Sequence, residues 1–509
     1  MSRIGGEIAK GSEHRPPWIT WLAIATSMVM VLGGLSLIAG VAAATAVTSS
    51  HGAQPSAQTG LTPIFYSTTL PGPTLNPYCN LGSPTSPYVL ICYTPPDLKA
   101  AYNYPSYLNG AGQTIVIIDA FGSPFVQSDL NTFDSTFGLP SITLQIVCQN
   151  NAPSCPNPMA NGDEVGWTAE IALDTQYAHA MAPGAHLVLF VASSDDDLVL
   201  EQAAQQAVAM FPHSIISQSF GDPELNLELA TPSYVQAVLS TGEAAYQQAA
   251  REGTTVFAAA GDWGADNSPF GFTAANPIYP SSSPWVTAVG GTQGNPYYLG
   301  GIPSCTGRTC STGLVNFLNT PACALNNPNP TGTEVCLPVG YGGEGVWNEP
   351  AFGIATGGAP SIIFGVPPYQ YGLGLTARAT PDVSYNAAQS GGVIGYWSNP
   401  SGPGFYIFAG TSSGSPQWAA IAALADQLAI WEHRGTIGFI SPALYFIGKT
   451  PWLYRSAFHD ISVGNNIIFG SPDNVGFSAT RGWDDASGWG TPNVANLVPD
   501  LVALSGFYR

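Results

Sequence analysis

Five short, almost wholly apolar runs alternate with helical segments between residues 114 and 291. Such runs are typical of strands buried on both faces, and helices on the two sides of a parallel sheet provide that burial. The pattern therefore predicts an α/β fold with a doubly wound, mostly parallel sheet. The predicted strands are 114–119, 186–192, 214–220, 254–261 and 285–291, and the predicted helices include 168–181 and 233–252.

An apolar segment lies near the start of the chain. Residues 18–47 carry no charged side chain, and Arg3, Lys10 and Arg15 precede them. A segment of this length can span a bilayer, whereas residues 44–46 offer the small side chains that a signal peptidase requires. Residues 1–47 are therefore predicted to be either a cleaved signal peptide or a membrane anchor. The rest of the chain is expected outside the cytosol, either secreted or attached to the cell membrane.

The remaining chain divides by composition. Residues 48–92 are rich in Ser, Thr, Pro and Gly and are predicted to be a linker or a short pro-segment. Residues 93–509 carry the apolar periodicity of one folded domain. Within this domain, residues 300–339 are rich in Gly, Asn, Pro and Cys, which predicts an external insertion tied by disulfides.

Eight cysteines form four pairs of sequence neighbours. Such neighbours could close short disulfide loops in an oxidising compartment. The C-x₂-C spacing of structural zinc sites is missing, which argues against a metal site. The pairs are Cys79 with Cys92, Cys148 with Cys155, Cys305 with Cys310 and Cys323 with Cys336, although the sequence alone leaves the pairing open.

The charge balance excludes some functions. Twelve Lys and Arg stand against 32 Asp and Glu, and the resulting charge of −20 repels the phosphates of nucleic acids. Only 9% of the residues are charged, so few ion pairs are lost in acid and the protonated chain repels itself only modestly. The composition predicts a protein that works at low pH and does not bind nucleic acid.

A candidate nucleophile follows a predicted strand at 405–408. A Gly-Thr-Ser turn leads from this strand into a helix near Pro416, so Ser412 lies at a helix N-terminus, where the dipole favours negative charge. Residues 410–414 also match the G-x-S-x-G turn of α/β-hydrolases, with His433 and His459 as the downstream histidines. A serine-rich helix cap without chemistry is the third interpretation.

A serine nucleophile requires a base, and the H-G-T-H motif of subtilisin-like enzymes is absent. Glu170 and Asp174 stand at positions i and i+4 of a predicted helix, on one face and within contact distance. Their repulsion predicts a shared proton and a raised pKa if the site is partly buried. In acid a carboxylate is still a usable base, whereas a histidine is protonated. A solvated acidic helix face is the alternative.

Asp262 follows the small residues that end the predicted strand 254–261. Small side chains at the carboxyl end of a strand allow close approach, and ligands bind at such ends in open α/β sheets. A neutral carboxylic acid there could donate a hydrogen bond to a tetrahedral oxyanion. In the alternatives, Asp262 only forms a turn, or the nearby Asp266 is the acid that matters.

Together these motifs resemble those of the sedolisins, acid-acting serine-carboxyl peptidases with a subtilisin-like fold. The resemblance covers residues 93–504. It implies that Ser412 is the nucleophile, that Glu170 is the general base and then the acid, that Asp174 orients Glu170, and that Asp262 is the oxyanion donor. The motifs, in the family's order, are YTPPDLKAAYN, EIALD followed by APGA, SQSFGDPE, AAAGD, GGAPSIIFGVPPYQ, RATPDVSYNA, GTSSGSP, DISVGNN and GWDDASGWGTP.

The same resemblance implies one structural Ca²⁺ ion near the C-terminus. Asp460 and Asp484 would supply carboxylate oxygens, and Ile461, Thr480 and Gly482 would supply backbone carbonyl oxygens. Hard oxygen ligands on short loops suit Ca²⁺, with water completing the coordination shell. Thr480 stands where the family has a smaller residue, which a backbone ligand tolerates.

Some positions depart from the family or stay outside the predicted site. Phe220 and Asp222 stand where Trp and Gly are expected in the cleft strand, so the subsite preference is open. Asp119, at the position of the catalytic Asp of ordinary subtilisins, has no histidine partner and is predicted to be structural. His179 and His186 are predicted to pack or to cap.

The resemblance implies hydrolysis of peptide bonds, with protein or peptide substrates. We expect a monomer. Two alternatives stay open: a surface-anchored binding protein that has kept the fold but lost turnover, and an α/β-hydrolase esterase.

Overall fold

The structure is a computed structural model, and it describes residues 64–67, 92–156, 162–267, 272–294, 305–306, 309–310, 341, 343–349, 352–389, 391–468 and 474–505. Its strands are β1 Ile64–Ser67, β2 Cys92–Tyr93, β3 Thr114–Ala120, β4 Gln145–Cys148, β5 His186–Ala192, β6 Ile215–Gln218, β7 Asp222–Pro223, β8 Thr255–Ala259, β9 Ile278–Tyr279, β10 Thr287–Gly294, β11 Cys305–Thr306, β12 Thr309–Cys310, β13 Glu344–Val346, β14 Asn348–Glu349, β15 Ile354–Ala355, β16 Val383–Asn386, β17 Gly392–Trp397, β18 Gly404–Ala409, β19 Phe458–His459 and β20 Thr491–Pro492. Its helices are α1 Pro95–Ala101, α2 Val126–Phe137, α3 Gly162–Met181, α4 Asp197–Met210, α5 Glu224–Leu229, α6 Pro232–Glu252, α7 Gly414–Trp431, α8 Ser441–Lys449, α9 Pro451–Ala457 and α10 Val494–Leu504.

The predicted signal peptide or anchor, 1–47, lies outside the described residues, as do Cys79, Cys323 and Cys336. In the described ranges, no helix has the length and apolar character needed to cross a membrane.

A mostly parallel sheet forms the middle layer of the fold. Its strands lie in the order β13, β10, β8, β6, β3, β5, β4, and β16 also pairs with β10. All of these pairs are parallel except β13 with β10. The predicted α/β fold is therefore confirmed. Each predicted strand is present, although β6 ends at Gln218 rather than at residue 220.

Helices cover both faces of this sheet, which explains why the strands are apolar on both sides. In β3, Ile115 and Ile117 belong to the core that contains α3 and α7. The intervening Val116 and Ile118 belong to the core that contains α4 and α6. Successive side chains of a strand point to opposite faces, so both faces need apolar residues.

Helices α3 and α7 share one hydrophobic core on the same face of the sheet. Helix α3 begins at Gly162, six residues before the predicted start, and α7 begins at Gly414. Nearly every residue of α7 from Gly414 to Gln427 is buried. A helix that is apolar all round belongs in the centre of a protein, and α7 runs from the Ser412 turn into this centre.

A second sheet of four strands, in the order β1, β18, β17, β2, carries the strand that leads to Ser412. Strand β1 comes from the predicted linker or pro-segment and pairs antiparallel with β18, with Ile64 opposite Ala409. The loop through Ser412 therefore starts from a strand that is paired on both edges.

A buried ion pair fixes the segment before β16. The Arg378 guanidinium donates two hydrogen bonds to the Asp382 carboxylate, and neither side chain is exposed to solvent. The Tyr445 hydroxyl and the Ala288 N–H also donate to Asp382. Such additional hydrogen bonds are needed to offset the cost of burying two charges.

One of the predicted cysteine pairs is present as a disulfide, Cys148–Cys155, with the two Cα atoms 5.1 Å apart. Cys305 lies opposite Cys310 in the short ladder of β11 and β12. Most of the predicted insertion, 300–339, lies outside the described residues.

Candidate active site

Ser412 lies in a single 3₁₀ turn, Thr411–Ser413, between β18 and α7. Its side chain is fully buried, and its hydroxyl has no hydrogen-bond partner of normal geometry among the described groups. The turn begins at Gly410, whose φ of +113° favours glycine. The predicted placement of Ser412, after a strand and at the start of a helix, is confirmed.

Glu170 and Asp174 lie on the buried face of α3, with exposed fractions of 1% and 0%. This burial contradicts the alternative of a solvated acidic face. Burial raises the pKa of both carboxyl groups, and the Asp174 carboxylate raises that of Glu170 further. The two carboxyl groups interact as their i, i+4 spacing predicts.

The Ser412 hydroxyl lies close enough to Glu170 to favour the ionised carboxylate, which partly offsets the increase in the Glu170 pKa. The carboxylate of Asp262 also interacts with Glu170. Glu170 thus interacts with each of the other three predicted residues, Asp174, Asp262 and Ser412, and the four form one cluster.

Asp262 follows β8 and contacts the Ser412 turn directly. Its Oδ1 accepts hydrogen bonds from the Thr411 N–H and the Thr411 hydroxyl, both at 2.8 Å. Its Oδ2 has no partner among the described groups and lies 2.6 Å from the point where a Cβ on Gly410 would be. The contact with Thr411 favours Asp262 over Asp266 as the relevant acid.

Burial raises the pKa of Asp262 to about 6, although the hydrogen bonds from Thr411 counteract it. Below that pH the carboxyl group is mainly neutral. Since Oδ1 accepts from Thr411, the proton is best placed on Oδ2, the oxygen next to the nucleophile turn. In this form Asp262 can donate a hydrogen bond there.

Asp119, which we predicted to be structural, lies in the same cluster. It is the second-last residue of β3, it is fully buried, and its carboxylate raises the pKa of both Glu170 and Asp174. Burial raises its own pKa to about 8. The signal that could have identified it is its place at the carboxyl end of a central parallel strand, where sites form in α/β sheets.

Ser219 is a second residue that the sequence analysis missed. It is fully buried just after β6, and its hydroxyl interacts with Asp174 and favours the ionised carboxylate. The ends of β3, β6 and β8 therefore supply Asp119, Ser219 and Asp262 to one side of the site, and α3 supplies the other side.

Of the two histidines near α3, His179 is buried and packs as predicted, whereas His186 is exposed at the start of β5 and neither packs nor caps a helix. His179 Nε2 lies 2.8 Å from the Pro140 carbonyl oxygen and 3.4 Å from the Asp134 carboxylate. His186 Nε2 lies 2.7 Å from the amide oxygen of Gln145. Glu170, not a histidine, is the titratable group that interacts with Ser412.

The residues of the predicted calcium site lie on adjacent loops. The Gly482 N–H donates to Asp460 at 3.0 Å, and the Thr480 N–H donates to Asp484 at 2.7 Å. In the described structure, the carbonyl oxygens of Ile461, Thr480 and Gly482 accept no hydrogen bond. Two carboxylates beside three unpaired carbonyl oxygens fit the hard oxygen ligands of Ca²⁺.

The fold is of subtilisin type, and in the described residues buried carboxyl groups lie near Ser412. The subtilase family matches residues 159–437, and the chain belongs to that family. The family match excludes the α/β-hydrolase alternative.

Its relatives within the family are sedolisins, which confirms the resemblance. Kumamolisin from Bacillus sp. (strain MN-32) is 30% identical over 422 residues, 81% of this chain and 64% of the relative. Tripeptidyl-peptidase 1 from Homo sapiens is 28% identical over 342 residues, 65% of this chain and 52% of the relative. The chain thus matches between about half and two thirds of the length of these relatives.

A solved structure of Pseudomonas sedolisin, described as a serine-carboxyl proteinase complexed with two molecules of pseudo-iodotyrostatin, has the same fold. It superposes with a TM-score of 0.63 at 26% identity, over 83% of this chain and 100% of that chain.

Proposed function

We propose that this chain is an acid-active serine-carboxyl peptidase that hydrolyses peptide bonds. The observation that carries the proposal is the buried cluster in which Glu170 interacts with the Ser412 hydroxyl, with Asp174 and with Asp262. Kumamolisin, tripeptidyl-peptidase 1 and sedolisin support the same class of reaction.

Proton transfer in this site depends on the cluster as a unit. Because each ionised carboxyl group raises the pKa of the others, the first ionisation is the easiest and further ones are costly. The Ser412 hydroxyl stabilises that first negative charge on Glu170. Glu170 then accepts the Ser412 proton as the oxygen attacks the peptide carbonyl, and it returns the proton to the leaving amine.

The two aspartates have different roles in this mechanism. Asp174, next to Glu170 on α3, holds the base in position. Neutral Asp262 donates a hydrogen bond to the oxyanion that forms when Ser412 attacks, as a protonated carboxyl group can do only below its pKa of about 6. The role of Asp262 therefore favours low pH.

The direct test is the release of peptides from denatured casein by the purified full chain between pH 3 and pH 8. We expect cleavage below about pH 5 and a loss of rate of at least about tenfold above pH 7, because Asp262 is then ionised. Mass spectrometry of the products separates internal cleavage from release of short peptides. Undetectable cleavage throughout this range would favour the binding protein that has lost turnover.

Asp262 can be tested by two substitutions. Asp262→Ala removes the donor, and we expect kcat to fall by about 10²–10³-fold. Asp262→Asn keeps a neutral donor that does not titrate, so a smaller loss is expected together with a pH–rate profile that no longer falls near pH 6. Wild-type rates in the alanine variant would contradict the oxyanion role.

We also propose that Asp460, Ile461, Thr480, Gly482 and Asp484 hold a structural Ca²⁺ ion. When bound, the ion would have a structural role, since its positive charge attracts the ligands on both loops and holds the loops together. We expect chelation at pH 5 to lower the melting temperature by several degrees, since an ion bound only to the native state stabilises it. Asp484→Ala should abolish the response to chelator, whereas the exposed Glu228→Gln should retain it. A melting temperature that chelation leaves unchanged would reject the site.

We propose a monomer that acts on protein or peptide substrates outside the cytosol. The Cys148–Cys155 disulfide supports an oxidising compartment.

A further inference from the structure

Thr411, which precedes the proposed nucleophile, forms three hydrogen bonds with the loop that follows β8. Its N–H and its hydroxyl both donate to Oδ1 of Asp262, each at 2.8 Å. The same hydroxyl oxygen accepts a hydrogen bond from the Gly261 N–H at 3.0 Å. The Thr411 side chain is fully buried, so these contacts are not shared with solvent.

These hydrogen bonds fix the direction of the hydroxyl hydrogen. A threonine hydroxyl has one hydrogen to donate and two lone pairs that accept. Because the Gly261 N–H can only donate, the hydroxyl must accept there, and its hydrogen is directed to Oδ1 of Asp262. The hydroxyl of Thr411 is therefore a committed donor to that oxygen, as is the Thr411 N–H.

The backbone on both sides of this contact is held in place. The Gly261 carbonyl oxygen accepts from the Gly357 N–H at 2.6 Å, and the Gly410 N–H donates to the Ala387 carbonyl oxygen at 2.8 Å. Each of the two loops is thus hydrogen-bonded to a segment outside the contact. This anchoring keeps the Gly261 N–H directed at the hydroxyl of Thr411.

Two donors on Oδ1 decide which oxygen of neutral Asp262 carries the proton. A proton on Oδ1 would face the hydrogens of Thr411 and would cost at least one of the two hydrogen bonds. A proton on Oδ2 costs neither, since Oδ2 has no partner among the described groups. Oδ2 is also the oxygen that lies against Gly410, in the turn that carries Ser412.

We propose that Thr411 is a positioning residue of the reaction: its hydroxyl holds Oδ1 of Asp262 as an acceptor and thereby keeps the acidic proton on Oδ2, the oxygen available to the oxyanion. This inference rests on the proposed function, in which neutral Asp262 is the oxyanion donor. It assigns to Thr411 a role that acts through Asp262 and not through Ser412.

The hydroxyl of Thr411 has a second effect, on the pH range of the reaction. Burial raises the pKa of Asp262, and the hydrogen bonds from Thr411 counteract part of this increase because they stabilise the ionised carboxylate. In the described part of the chain, Asp262 forms no ion pair, and Glu170 on α3 is the titratable group that interacts with it from another element. Thr411 therefore directs the proton of Asp262 but narrows the pH range in which Asp262 is neutral.

The test is the pH dependence of kcat/KM for one peptide substrate, between pH 3 and pH 8, in the full chain with Thr411→Val. Valine keeps the shape and the backbone N–H but removes the hydroxyl. We expect kcat at pH 4 to fall by about three- to tenfold, since the proton is no longer held on Oδ2. We also expect the fall in kcat/KM near pH 6, the alkaline limb, to move up by about one pH unit, since the carboxylate has lost a donor. A purely structural role would lower the rate without this shift.

Thr411→Ser restores the hydroxyl and should recover most of the rate together with the wild-type alkaline limb. Thr411→Cys, whose thiol is a weaker donor, provides the same test if the valine variant fails to fold. The matched control is Thr255→Val, which removes a buried hydroxyl that donates to the Gly438 carbonyl oxygen at the first residue of β8. This control should leave the alkaline limb in place.

In the Asp262→Asn background, which does not titrate at this position, Thr411→Val should cause no shift of the limb. A wild-type rate at pH 4 in Thr411→Val, a limb that stays in place or moves to lower pH, or an equal shift in Thr255→Val would overturn the inference. NMR of isotope-labelled aspartate carboxyl carbons, with the Asp262 signal identified by its loss in Asp262→Asn, measures the pKa of Asp262 without turnover, and an unchanged pKa in Thr411→Val would also overturn it. Failure of the wild-type chain to cleave casein contradicts the proposed function, whereas this titration tests the contact with Thr411, so the two failures are distinguishable.

Discussion

Substituting Ser412 with alanine is expected to abolish casein cleavage at pH 4, with a loss of at least about 10³-fold in kcat. The reason is that, in the proposed mechanism, the Ser412 hydroxyl oxygen beside Glu170 attacks the peptide bond. The isosteric Glu170→Gln should cause a similar loss, because an amide cannot accept the serine proton. The measurement is the initial rate of peptide release, with the folded state of each variant checked by circular dichroism.

The double variant Ser412→Ala, Glu170→Gln should be no slower than either single variant, since residues that act as a unit are not additive. Ser413→Ala is the matched control. Ser413 lies in the same turn and is equally buried, but its hydroxyl only accepts a hydrogen bond from Gln417 at 3.2 Å. We expect it to stay within about tenfold of the wild-type rate. Cleavage that survives in Ser412→Ala at the wild-type rate would remove Ser412 from the mechanism.

Raising the pH from 4 to 8 is expected to lower the melting temperature by more than about 10 °C. Burial raises the pKa of Asp119 and Asp197 to about 8 and that of Asp262 to about 6, all above the ordinary value of 3.8. Between about pH 4 and these native values, the native state binds more protons than the unfolded state. The free energy of unfolding therefore falls as the pH rises, by about 1 kcal/mol per pH unit for each group.

Scanning calorimetry at intervals from pH 4 to pH 8 measures the slope of stability against pH, that is, how far the melting temperature falls per pH unit. Asp119→Asn removes one of the titrating groups, so the slope should be smaller than in the wild-type protein, whereas the exposed Glu228→Gln should leave it unchanged. A melting temperature that rises steadily from pH 4 to pH 7 would show that the buried carboxyl groups are ionised in the native state.

Local sequence patterns were sufficient to predict where Glu170, Asp174 and Ser412 lie in the fold. Glu170 and Asp174 are one helical turn apart, so their common face follows from helix geometry alone. Ser412 follows a strand and precedes a helix, and both elements are visible as apolar periodicity. The parallel sheet follows in the same way from strands that are apolar on both faces.

Asp119 and Ser219 could not be assigned from local patterns, since they approach the cluster only through strand order. Strands β3 and β6 are neighbours in the sheet, although almost one hundred residues separate them in sequence. The sequence also could not predict that Oδ2 of Asp262 lacks a hydrogen-bond partner, because this depends on which of the two carboxylate oxygens accepts from Thr411.

The absence of a side chain at Gly410 links two parts of the site that are distant in sequence. A Cβ there would lie 2.6 Å from Asp262 Oδ2, so any larger residue must push the carboxyl group away. The serine turn and the loop after β8 can therefore not be diversified separately. A library intended to change the reaction should vary positions 261–262 and 410–412 as one block, because we expect selection on either alone to return mostly inactive chains.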